Sequence, residues 1–152
     1  MTAITWHCLS FNDMTTRQLY EAMVLRQEVF VVEQECAFLD ADSIDYSCMH
    51  LFGYVDKKLV AYSRLVPAGA VYEQCSIGRV VSAISERGKN IGRLLMQQSI
   101  DWIETNWGNQ PIKIGAQQRL EAFYESFGFE VCSEPYMEDG ILHVHMMRTA
   151  SA

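Results

Sequence analysis

The sequence predicts a mixed α/β fold, and three observations carry that prediction. Residues 77–82 read as a buried strand, with Val80 and Val81 flanked by Gly and Ser, and from Ile91 onward the period changes: Ile91, Leu95, Met96, Ile100 and Ile103 recur at helical spacing. Residues 50–55 and 59–67 are two short apolar runs joined by Asp56-Lys57-Lys58, which is hairpin spacing. Further strand and helix signals alternate between 112 and 147. Strands that precede and follow helices, with hairpins between them, describe a mixed sheet with at least two helices packed on it.

In chain order, residues 5–9 form a first strand. Thr15 then opens T-T-R-Q, a capping box completed by Gln18, and Leu19, Met23, Arg26 and Phe30 continue at helical spacing into Val29-Phe30-Val31-Val32. The hairpin of 50–55 and 59–67 leads to the 77–82 strand and a helix from near Gly92 to about Asn106. Asn109-Gln110-Pro111 breaks the chain, and 112–115 is a short strand. A compact helix over 120–127 ends at Gly128, and 129–133 and 142–147 close as strands, with Pro135 and an Asp139-Gly140 turn between them.

A chain of 152 residues holds one domain with a substantial core, and residues 1–152 are read as one. No stretch approaches the roughly 20 apolar residues of a membrane span, and no basic and apolar leader opens the chain, so a cytoplasmic protein without a membrane partner is expected. The five cysteines include no C-x-x-C pair and read as reduced, mostly structural thiols. A formal net charge of −7 argues against nucleic-acid binding, which needs a basic face. Six acids and no Lys or Arg lie between residues 28 and 45: Glu28, Glu33, Glu35, Asp40, Asp42 and Asp45. Such a run is either a solvated face or an electronegative lip for a cationic substrate.

Against that acidity, the turn ahead of the central helix is basic. Arg87, Lys89 and Arg93 stand beside the helix start, whose unpaired N–H groups and dipole favour an anion. It is not a Walker loop, because Gly92 is followed by Arg93 and Leu94 rather than Lys and Ser or Thr. Nor is it a dinucleotide fingerprint, since Gly88 and Gly92 are separated by three residues.

Strand, then Arg87-Gly88-Lys89-Asn90-Ile91-Gly92, then helix resembles the acetyl-CoA signature R/Q-x-x-G-x-G/A of the GNAT superfamily of N-acetyltransferases. One departure is Asn90, where the family usually has Gly. Asn tolerates positive φ better than most residues, so the match survives. A second likeness is F-Y-E-S-F-G-F from Phe123, which places Tyr124 where the family commonly has a tyrosine near the coenzyme A sulfur. Arg26 with V-F-V-V-E-Q, the acidic run, His50, I-G-R-V from Ile77, I-G-A-Q from Ile114 and E-D-G from Glu138 extend the resemblance over nearly the whole chain to the ElaA-like group. It implies one GNAT domain: a mostly antiparallel central sheet with helices on both faces.

The same resemblance implies an acetyl-CoA-dependent N-acetyltransferase acting on a primary amine of a small molecule or peptide. It places acetyl-CoA as cosubstrate against Val80, Val81, Ser82, Arg87, Gly88, Lys89, Asn90, Ile91, Gly92, Arg93 and Gln117. A covalent intermediate is not needed: the amine attacks the thioester directly, a base takes its proton, and Tyr124 assists the departing thiolate. Glu33, Glu35 and His50 are the candidate bases. Burial alone would also account for Tyr124, as for most aromatic residues. His143 and His145 share a strand face, but no third ligand has suitable spacing, so no metal is expected. A non-catalytic acyl-CoA-binding or regulatory module is the alternative, and a structural protein would leave both motifs unexplained. The acceptor is unreadable, as is the oligomeric state, for which a homodimer is one outcome.

Overall fold

Local chemistry sets the first helix. In the computed structural model, which describes residues 3–150, Thr15 Oγ1 accepts from the Gln18 N–H at 3.0 Å and the Gln18 side chain accepts from the Thr15 N–H at 2.9 Å. This reciprocal cap starts α1 (Thr16–Gln27). The helix then widens into one π-helical stretch, Glu28–Glu33, a distortion that often marks functional sites.

β1 (Thr5–Ser10), β2 (Met49–Val55), β3 (Lys58–Val66) and β4 (Ser76–Ser82) pair antiparallel in chain order. Asp56 and Lys57 take φ of 48° and 67° to close the β2–β3 hairpin, the left-handed pair that matches strand twist. After α2 (Ile91–Asn106), β5 (Ile112–Gln117) leads to α3 (Glu121–Glu125) and β6 (Phe129–Val131). β7 (Tyr136–Glu138) and β8 (Ile141–Arg148) follow, and β8 pairs antiparallel with β5, β6 and β7. The fold is the expected mixed α/β sheet. β7 escaped the sequence reading because three residues between Pro135 and a turn are too few for an alternating pattern to register.

Alternation along β3 divides the molecule. Tyr62 and Arg64 face the α1 side, where Tyr62 meets Arg26, while Ser63 turns to α2 and shares a 2.8 Å hydrogen bond with Ser99. Helices thus cover both faces. One core gathers Leu25, Phe52, Val60, Val81 and Leu95, and the other gathers Leu65, Ile77, Met96, Ile103, Ile114 and Met146. α2 contributes to both.

The two strand groups meet at one point. Cys75 and Ile112 form a parallel bridge, backed by Lys113 N–H donating to Cys75 C=O at 3.0 Å, and beyond it β4 and β5 separate. Among the described residues, no helix is long and apolar enough to cross a membrane.

Candidate active site

The divergence of β4 and β5 opens a cleft of about 1060 Å³. β4 forms one wall from Ser76 to Ser82, and Ile114, Gly115 and Gln117 of β5 form the other. β4 carries an irregularity here: Tyr62 pairs with Val81 but Arg64 with Gly78, so two β4 residues, Arg79 and Val80, oppose one on β3. Arg79 takes φ of 49°, a conformation unfavourable for a residue that carries a Cβ. Its guanidinium is held by Asp40 and Asp42 and lies 5.7 Å from the Phe38 ring centroid. Such a bulge twists the strand and re-aims the backbone that follows it, here Val80, Val81 and Ser82.

The turn leading to α2 has the conformation its sequence suggested. Gly88 has φ of 83°, and Asn90 sits at φ 65°, ψ 17°, the left-handed region for which Asn is among the few suitable residues. Asn90 is the residue before the helix, yet its side chain caps none of the first-turn N–H groups, which are left for an outside acceptor. The nearby cations are already engaged. Arg87 is joined to Glu33, Lys89 to Glu86 at 2.7 Å, and Arg93 stacks over Phe123 and Phe127 at 5.8 and 5.4 Å.

Of the residues singled out in the sequence, Val80, Val81, Ser82, Arg87, Gln117, Tyr124 and Glu33 line this one cleft. Gly88, Lys89, Asn90, Ile91, Gly92 and Arg93 form the turn and helix start beside it rather than its wall. Gln117 donates to Gln34 at 3.3 Å and accepts from Arg119 at 3.1 Å, tying β5 to the π-helical segment.

Tyr124 is 8% exposed and packs against Phe123 and Phe129, so its ring is a core residue while its side chain also reaches the cleft. Among the described residues its hydroxyl has no hydrogen-bond partner. Burial pushes the phenol up to about 12, only partly offset by the charge of Arg119, so it is a proton donor at neutral pH.

His50 lies elsewhere. It is 1% exposed and does not line the cleft. Its Nε2 donates to the Asp45 carbonyl at 2.9 Å, and its Nδ1 accepts from the Tyr62 hydroxyl at 2.6 Å. Burial holds it below the ordinary imidazole range, against the opposing effect of the Asp45 carbonyl. Both ring nitrogens are occupied, which moves His50 from the acceptor side, where the sequence placed it, into the core.

The acidic run is likewise corrected. Asp40 and Asp45 are buried and Asp42 is half-buried; they meet Arg26, Arg64 and Arg79, contributed by α1, β3 and β4. Arg26, 1% exposed, bridges Asp40 and Asp45, each at 2.8 Å. Arg64 clasps both oxygens of Asp42 at 2.7 Å. Burial would raise the Asp42 and Asp45 carboxyls, but the arginines outweigh it: Asp42 falls to about 2, and Asp45 lies below its usual range. Half of the run is therefore neither a solvated face nor a lip; these three aspartates fasten the 34–45 segment to the sheet. Glu33 remains at the cleft mouth, its carboxyl lowered by Arg87.

The sequence reading gave no place in the site to other cleft residues: Arg64, Arg79, Tyr72, Glu138, Asp139 and His143. His143 had been weighed only as half of a zinc pair. Among the described residues no group of three His, Cys, Asp or Glu is placed to hold a metal.

Comparison with known proteins identifies chains with this fold. The sequence model of an acetyltransferase (GNAT) domain matches residues 41–150. Protein ElaA of Escherichia coli K12 is 38% identical over 147 residues, covering 95% of this chain and 96% of its own. The crystal structure of Escherichia coli ElaA superposes with a TM-score of 0.90 at 37% identity, over 96% of this chain and 99% of that one. An acyl-CoA N-acyltransferase from Pseudomonas aeruginosa does so with a TM-score of 0.90 at 38% identity, over 95% and 99%. A GNAT acetyltransferase from Elizabethkingia anophelis, solved with acetyl-CoA bound, shares the fold at 14% identity and a TM-score of 0.66, over 96% and 97%. A chain with this cleft and this sequence match, related along nearly its whole length to ElaA, belongs to the GNAT acetyltransferase family.

Proposed function

We propose that the protein transfers acetyl from acetyl-CoA to a primary amine by direct attack within the β4–β5 cleft. The observation that carries this reading is the joining of two features: the uncapped start of α2 behind Asn90, and the unpartnered Tyr124 hydroxyl in the adjoining cleft. The helix start suits a pyrophosphate, through free N–H groups and the helix dipole. Gly88, Lys89, Ile91, Gly92 and Arg93 surround it, with Arg87 at the cleft edge. The free edge of β4 at Val80, Val81 and Ser82 offers backbone groups to the pantetheine arm, with Gln117 opposite.

An alkyl ammonium of pKa about 10.4 is neutral in only about one molecule in a few thousand at pH 7, so proton removal is a substantial part of the barrier. After attack the C–S bond breaks with its electron pair going to sulfur, and Tyr124 hydrogen-bonds to or protonates that thiolate. Five free cysteines suit a reducing cytoplasm. The test is isothermal calorimetry with coenzyme A, followed by thiol release from acetyl-CoA across an amine panel. Tight binding with amine-dependent release is the expected result. Binding without release from any amine would assign a non-catalytic acyl-CoA module, and absence of binding would overturn both.

A further inference from the structure

The carboxylates of the cleft are unequally used. Glu33 is bound to Arg87, and Asp42 to Arg64 and Arg79. Among the described residues, Glu138 and Asp139 line the same cleft with no Arg or Lys partner. They sit on the β7–β8 hairpin beside His143, also part of the wall.

The His143 ring is fixed. Tyr136 stacks on it with centroids 5.8 Å apart, and Nδ1 lies 2.7 Å from the Ile141 carbonyl. A carbonyl only accepts, so Nδ1 carries the ring proton and Nε2 of the neutral ring is a bare lone pair. That nitrogen lies 3.5 Å from Glu138 Oε2. Two acceptors thus stand together with no proton between them. A protonated imidazole satisfies that arrangement, and so does a primary ammonium, which brings three donors.

We propose that Glu138 seats the acceptor's ammonium and that His143 Nε2 is the base that deprotonates it. The inference rests on the acetyl-transfer reading and gives that reaction a base other than Glu33, Glu35 or His50. One proton passes from the ammonium to Nε2 and on to water, with Glu138 stabilising the imidazolium in the interval. The nitrogen lone pair forms the C–N bond, the C–S bond breaks toward sulfur, and a second proton travels from the former amine to the thiolate by way of Tyr124. The products are an amide, free coenzyme A thiol and one released proton. The acceptor class follows: a primary alkyl amine, cationic in solution.

The test uses cadaverine as amine probe with the folded full chain. His143→Gln lowers kcat by about 10² to 10⁴, the usual share of a general base, and leaves the calorimetric affinity for coenzyme A unchanged. It also replaces the acid-side limb of the kcat/KM profile with a rise that continues toward the amine's own pKa of about 10.4. Glu138 and Tyr136 of β7, His145 of β8, Lys113 of β5, Asp139 of the turn and Tyr72 of the loop before β4 face this region, so the same profile is recorded for Glu138→Gln. In that variant the limb persists and KM for cadaverine rises about tenfold. Independently of turnover, nitrogen-15 imidazole spectra of the wild type show His143 protonated at Nδ1, with Nε2 perturbed by cadaverine and not by acetate. An unchanged kcat in folded His143→Gln overturns the proposal, as does an Nε2-protonated ring or an Nε2 signal indifferent to cadaverine. A wild type that binds no coenzyme A refutes the acetyl-transfer reading instead, and the spectra still report on His143.

Discussion

Arg87 and Glu33 face each other at the mouth of the cleft, joined by two hydrogen bonds of 2.5 and 2.7 Å. One belongs to the turn before α2, the other to the π-helical stretch after α1. The pair is exposed enough that its contribution to stability should stay below about 1 kcal/mol. On the proposed reading its effect on a phosphate ligand is larger, because Glu33 occupies the guanidinium that a pyrophosphate would use. Glu33→Gln should therefore tighten coenzyme A binding several-fold at low salt and less at high salt, while Arg87→Ala weakens it. Calorimetry at two ionic strengths checks this; equal affinities for wild type and Glu33→Gln at low salt would remove Arg87 from the phosphate site.

Gly92 tests the helix start. A Cβ there would meet its nearest neighbour, Phe123 Cζ, at 3.8 Å, an ordinary contact, so Gly92→Val should fold. Its branched methyls crowd the approach to the first-turn N–H groups. Coenzyme A affinity is expected to fall tenfold or more, about 1.4 kcal/mol. Unaltered affinity in a folded variant would place the pyrophosphate elsewhere.

Tyr124→Phe removes one oxygen from a ring that the core already holds. The expected loss in kcat is about 10² to 10⁴, with coenzyme A affinity changed much less. Because burial keeps the phenol protonated up to about 12, the shape of the pH profile below pH 9 should be the same in both proteins. Rapid-quench measurement of the chemical step decides the matter; an unchanged step leaves Tyr124 a purely structural residue.

The Asp–Arg network makes its own prediction. Asp45→Asn leaves Arg26 buried with one charged partner fewer and should cost about 3 to 5 kcal/mol, read from urea midpoints. Asp42 is held at about 2, below the ordinary carboxylate value of about 3.9. A lowered folded-state value means its contribution is complete above the unfolded value and is lost as pH falls from about 4 toward about 2. Thermal melts over that window should show a shallower acid decline for Asp42→Asn than for the wild type.

Features written in neighbouring residues were legible in the sequence. Thr15 and Gln18 announce a cap because they stand three apart, and Asn90 announces a left-handed turn because few side chains tolerate one. The network was not, since Arg26 finds its aspartates 14 and 19 residues away and shares them with arginines from two strands. Sequence alone showed six acids without cations, which suggested solvent or substrate. His50 was misplaced for the same reason: its partners are Tyr62 and a backbone carbonyl, neither visible as a motif. The Arg79 bulge had no local signal, because its strain is compensated by Asp40, Asp42 and Phe38 from a distant segment.

The separation of β4 from β5 also governs how the sheet breathes. A strand hydrogen-bonded on both sides opens only with its neighbours, and one bonded on a single side opens sooner. β3 lies between β2 and β4, and β8 between β5 and the β6–β7 side, whereas β4 and β5 share a single rung at Cys75 and Ile112. Amide exchange across the sheet should accordingly show two slow zones, centred on β2–β3 and on β8, with a fast trough between them in the middle of the protein. A molecule lodged in the cleft would fill that trough, and α2, which packs into both cores, is the splint that holds the two slow zones in register.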